Sequence, residues 1–214
     1  LPTGLTTLIN GAALSDGAAF GFPMSIAARS RSELFLSDLH SFGNTGAALF
    51  RADLTNQSHM ILSAPFTGPI SRYVVTNGAV SATPQQFPAE LFGTGPACSD
   101  SAYRIGVIGG DLYQIESSFA QGKGSGIIRI DRMTGNRTLV LGKALDTQGN
   151  ILEAPAFSAP PGCGETDPAA IFESPTGEML IAEWSPYGRL LAFDLESRVL
   201  RVIVSFNDYF QTST

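Results

Sequence analysis

An internal repeat constrains this chain more than any other feature. Three short apolar stretches each close on a carboxylate: residues 34–38 (LFLSD), 112–116 (LYQIE) and 179–183 (MLIAE). Each is followed by a Gly-bearing turn and a second apolar stretch that ends in Asp, at Asp53, Asp131 and Asp194. First and second acid are 15, 15 and 11 residues apart in the three copies. Upstream, Pro23 and Ile26 stand as P-x-x-I, and so do Pro168 and Ile171, with Ile105 at the matching place in the middle copy. Downstream, turns at Thr55-Asn56, Thr134-Gly135 and Ser197-Arg198 lead into a fourth stretch at 59–62, 138–141 and 200–204. Such self-similarity means that one supersecondary unit is copied, and that neighbouring copies bury each other's apolar faces.

Four short β-rich stretches per unit, separated by Gly, Asn, Asp and Ser turns, predict an all-β chain of four-stranded antiparallel blades, a β-propeller. The repeats cover about 22–63, 101–142 and 167–205 of a single domain, 1–214. Residues 64–101 and 146–167, rich in Pro, Gly, Ser and Thr, read as long inter-blade loops, the alternative for the first being a degenerate blade around Tyr73–Val75 that would close a four-bladed ring. Residues 3–10 match 134–141 and read as an orphan outer strand, so the expectation is a partial propeller, completed by further chain or by another subunit. No helical periodicity of useful length is present.

Composition narrows the function classes. Charged residues make up 15% of the 214, the net charge is −6, and Lys123 and Lys143 are the two lysines. Nucleic acid and anionic membranes are poor partners for such a chain, because both select clustered Lys and Arg. No apolar run reaches the roughly 18 to 20 residues that span a bilayer as a helix, so membrane insertion is not expected. The lysine-poor, Gly- and Ser-rich surface, with just Cys98 and Cys163, fits an extracytoplasmic protein. These two cysteines precede the first strands of consecutive repeats and are expected to form a disulfide.

The pattern resembles the NHL-repeat and gluconolactonase-like propellers of the six-bladed type. Residues 126–135 (GIIRIDRMTG) carry the closest match, followed by 188–194 (GRLLAFD). The resemblance covers nearly all of the chain outside the two long loops. Its lactonase branch implies a calcium ion held in the central channel by Glu, Asn and Asp. Glu173-Ser174-Pro175 is loosely similar to that family's Glu-Gly-Pro, and Asn77-Gly78 to its Asn-Gly, but Glu173 follows its strand where the family's Glu precedes one.

Asp38, Glu116 and Glu183 hold one place in three repeats. They are the metal-ligand candidates, since hard cations take carboxylate oxygens. The plainer reading is that each accepts backbone N–H bonds from the adjoining turn. Asp53, Asp131 and Asp194 begin the turn pattern D-x-x-T-G or its variants and read as turn acceptors. Sequons at Asn56 and Asn136 are candidate glycosylation sites at the turn before the fourth strand. Phe42, Trp184 and Tyr187 follow the acids and form either an aromatic rim or inter-blade packing. His40 and His59 lack any zinc spacing, and neither a G-x-S-x-G elbow nor a phosphate loop is present.

The expected function is therefore a non-catalytic binding or structural module of an exported protein, presenting its inter-blade loops to a protein partner and requiring no cofactor. A calcium-dependent lactonase- or esterase-like hydrolase is the alternative.

Overall fold

The computed structural model describes residues 23–38, 48–56, 58–63, 69–76, 79–86, 93–96, 104–117, 125–146, 148–163, 167–184 and 188–205. Among the described residues the chain is all β, without a helix, and three antiparallel meanders follow one another. The first sheet runs in the order β1 (Pro23–Ala28), β2 (Glu33–Asp38), β3 (Ala48–Asp53), β4 (Ser58–Ser63). Next in the chain, β5 (Pro69–Thr76) and β6 (Ala79–Gln86) pair only with each other. The second sheet contains β7 (Arg104–Ile108), β8 (Asp111–Ser117), β9 (Ser125–Ile130) and β10 (Arg137–Leu145), with β11 (Ile151–Glu153) added along β10. The third contains β12 (Pro168–Glu173), β13 (Met179–Glu183), β14 (Arg189–Asp194) and β15 (Val199–Ser205).

Two segments read from the sequence as loops thus hold strands. The last described rung of the β5–β6 ladder is Thr76↔Ala79; in the sequence the two residues between are Asn-Gly, a strong hairpin dipeptide embedded in a composition that otherwise signals a loop. β11 is too short to show a period of two; it forms because β10 continues to Leu145 and offers it an edge, with the Lys143–Glu153 ion pair at 3.3 Å. Residues 3–10 lie outside the described residues.

The alternation of each strand decides what packs where. Phe35 and Leu49 of the first sheet share a core with Ile105, Leu112, Ile128 and Leu139 of the second. The opposite side of the second sheet, with Tyr113, Ile115 and Ile127, meets Met179, Ile181, Leu191 and Phe193 of the third. The second sheet is therefore apolar and buried on both sides. Its first strand, β7, runs between β1 and β12. Gly106 allows the approach to β12, since a Cβ there would stand 3.0 Å from the Ile171 carbonyl oxygen.

Each fourth strand carries a bulge at the same place, which leaves one residue extra to the ladder: Leu62, Val140 and Ile203. The bulge changes which side the following residues face. In β10 it sends Leu139 to one core and Leu141 to the other.

Candidate functional site

Asp38, Glu116 and Glu183 are all buried, and all stand at or near the same end of the second strand of their sheet. The surroundings of Glu183 are the most fully described. Its side chain has no exposed surface, and Arg189 of β14, 11% exposed, donates from Nε to Glu183 Oε2 at 2.5 Å. The Asp167 N–H donates to Oε1 at 3.2 Å. Arg189 also donates from Nη1 to the Gly162 carbonyl at 2.9 Å and to Cys163 Sγ at 3.0 Å. The acid thus fixes the linker that leads into β12; the turn after β13, from which a bond is also expected, lies outside the described residues.

Beside this pair, Ser125 Oγ donates to Asp167 Oδ1 at 3.2 Å, and burial raises the carboxyl of Asp167 above its ordinary range, against the lowering effect of that bond. Trp184 donates its backbone N–H to the Asp167 carbonyl at 3.0 Å. Its half-exposed ring lies under the Arg104 guanidinium, 5.3 Å from centroid to Cζ, while Arg104 also donates to the Ala169 carbonyl. Trp184 is thereby an outward cation–π partner linking the second and third sheets. Phe42 and Tyr187, expected beside it, lie outside the described residues.

Cys163 is a buried free thiol whose sulfur accepts from Arg189. Cys98, with which a disulfide is expected, lies outside the described residues.

Glu173, the residue carrying the similarity to a lactonase metal site, accepts from the Gly109 N–H at 3.0 Å and so ties β12 to the β7–β8 turn. Asn77 lies outside the described residues. Among the described residues, no group of three or more His, Cys, Asp or Glu side chains is placed to hold a metal ion.

The second series of acids does what the turn pattern predicts. Asp53 Oδ1 accepts from the Thr55 and Asn56 N–H groups, Asp131 Oδ1 from Met133 and Thr134, and Asp194 Oδ1 from Glu196 and Ser197, all between 2.8 and 3.2 Å. These bonds hold all three carboxyls below the usual value, led by the Asn56 N–H at Asp53, the Thr134 N–H at Asp131 and the Ser197 N–H at Asp194. A carboxyl whose pKa is lowered by folding binds its proton more readily when unfolded. Its contribution is complete above the unfolded value, about 3.9, and fades as pH falls through the lower folded value. Asp167, raised by burial, acts with the opposite sign. Urea unfolding from pH 6 down to pH 2 should show a steep loss of stability below pH 4 that is shallower in a D53N/D131N/D194N variant. Parallel acid limbs would refute these assignments.

A feature absent from the sequence reading joins the sheets. Arg137 and Leu200 are register equivalents, pairing with Ile130 and Phe193, and their N–H groups donate to the carbonyls of Thr94 and Ser158, each at 2.7 Å. The two linkers therefore cross successive sheets in the same way. Each is locked by an arginine. Arg137 donates to the Pro96 carbonyl at 2.6 Å and to Ser63 Oγ of β4 at 2.7 Å. Arg198 donates to the carbonyls of Ala156, Pro155 and Val140, the last in β10. The signal for both was an arginine next to a turn, but nothing in the local pattern says that its partners lie some 40 to 70 residues away. The two sequon residues, Asn56 and Asn136, are exposed, and Asn136 Oδ1 accepts from the Thr94 N–H at 2.8 Å.

No protein-family model matches this chain, and no curated protein does. Among solved structures it is similar to a protein of unknown function from Bacteroides caccae, at 14% identity and a TM-score of 0.28, over 87% of this chain and 61% of that one. It is also similar to a second protein of unknown function, from Bacteroides thetaiotaomicron VPI-5482, at 10% identity and a TM-score of 0.25, over 86% and 58%. This chain spans about three fifths of the length of either.

Proposed function

We propose that the three sheets are consecutive blades of a β-propeller of the NHL-repeat type, and that the chain is a non-catalytic binding module of an exported protein. Its partner is a protein that docks on the side of the third sheet turned away from the second. The observation that supports this is a difference in exposure at one repeated position. The bulged residue of the fourth strand is 4% exposed at Leu62 and 9% at Val140, where another sheet follows, but 44% at Ile203. The same side of the third sheet carries Phe172, also 44% exposed, in the register row of Leu180. A sheet side meant for water alternates polar residues outward, whereas this one presents Phe172, Leu180, Ala182 and Leu190, with the Arg201–Glu178 ion pair at the end of the Phe172 row.

Phe172 also bears on the kind of partner. Its equivalents on the two preceding sheets are Ala27 and Gly106, small residues on which the next first strand rests. A phenyl ring at that place holds off a further sheet at the same spacing, which favours a partner surface shaped to the ring. The linkers at 93–96 and 155–158 are bonded to the sheets, so the docking surface is assigned to the third sheet in their place. The test is an F172K/I203K variant, its fold checked by circular dichroism. Wild-type protein should bind the apolar dye ANS and associate with rising concentration in sedimentation velocity, and the variant should lose both. A wild-type chain that stays monomeric and binds no dye would overturn the reading.

A further inference from the structure

The seam between the first and second sheets is polar at a level where the seam between the second and third is apolar. Ser25 and Ser37 are register partners on β1 and β2, and Ile105 and Gln114 are register partners on β7 and β8. Ser25 Oγ accepts from the Ile105 N–H at 3.4 Å, which sets both pairs at one height. Ser37 and Gln114 then stand opposite each other, one strand further out. Alternation agrees: Ser37 shares a side with Phe35 and Gln114 with Leu112, and those two belong to one core.

Both side chains are buried, at 1% and 2% exposure, and neither Ser37 Oγ nor Gln114 Nε2 has a hydrogen-bond partner among the described residues. The equivalent residues in the next seam are Ile115 and Ile181, members of its apolar core. The fold accommodates isoleucine at both positions one sheet later, so the polar pair is not imposed by the architecture. An unpaired buried amide and hydroxyl are each costly to retain. Sheets packed roughly 10 Å apart leave a short serine and a glutamine too far apart for a direct bond along much of the gap, and a molecule that both donates and accepts completes both groups.

We propose that this seam is a binding site for ordered water, with a solvent molecule accepting from Gln114 Nε2 and hydrogen-bonding Ser37 Oγ. The ligand class follows from the chemistry: one donor and one hydroxyl, both on buried residues, suit a neutral molecule of water's size. A high-resolution crystal structure of the wild-type chain should show density within about 3.2 Å of both atoms. Deuteron relaxation dispersion should count at least one fewer long-lived water in an S37A/Q114L variant, whose Tm should be equal to or up to about 8 °C above that of the wild type. Direct bonding of both side chains to protein groups with no water between them would overturn the proposal, as would an unchanged count of long-lived waters in the variant.

Discussion

Replacing Glu183 by alanine should destabilise the chain by about 3 to 5 kcal/mol, seen as a lower urea midpoint at constant slope. The magnitude follows from burial. Glu183 is fully enclosed and Arg189 nearly so, and the variant would strand the guanidinium beside Cys163 and leave the Asp167 N–H without its acceptor. Two ions taken out of water hold each other at little net gain, but removing one leaves the other's desolvation uncompensated. The Asp111–Arg129 pair supplies the contrast. It spans a similar distance, 2.9 Å, but both side chains are about half exposed, so D111A should cost under about 1 kcal/mol. Glu183→Gln should fall between, since it keeps an acceptor for the Asp167 N–H and loses the charge. Equal losses in E183A and D111A would show that burial does not govern the pair.

What the sequence revealed, and what it concealed, divides along the distance over which each feature is determined. The strand 179–183 appears in the structure with those limits, and 34–38 and 190–194 are each extended by one residue at the front. These are local features, set by alternation and by an aspartate that takes two N–H groups of its own turn. Arg189 was half legible. It stands one step beyond the Ala182↔Leu190 rung, so a Glu at the end of one strand and an Arg at the start of the next were already placed to meet. The bulges at Leu62, Val140 and Ile203 were not legible, because an extra residue within an apolar run has no signature of its own. The linkers were read as loops for the same reason: their order comes from carbonyls that accept from Arg137 and Arg198, not from periodicity.

The bulges also explain how the seams lock, and they lead to the second large effect. Gly135 and Arg198 occupy the same left-handed position in successive turns, with φ of 72° and 57°. Where Arg198 reaches across to Val140 with its guanidinium, Gly135 meets Leu62 with its backbone. A Cβ on Gly135 would lie 1.9 Å from the Leu62 carbonyl oxygen, and on its other side a Cβ on Gly93 would lie 2.0 Å from the Gly135 carbonyl oxygen. Three backbones are thus stacked in contact, with Ser63 Oγ donating to the Gly135 carbonyl at 2.9 Å. Gly135→Ala must both adopt the left-handed conformation, at about 1 to 2 kcal/mol, and displace the first sheet's outer strand, at about 1 to 3 kcal/mol more. The expected loss is roughly 2 to 5 kcal/mol. Gly177 separates the two terms: its φ is 84°, but a Cβ there meets nothing within 4 Å, so G177A should show the conformational cost alone. If G135A and G177A shift the urea midpoint equally, the backbone contact between the first and second sheets does not hold the seam, and the linker bonds of Arg137 must carry it.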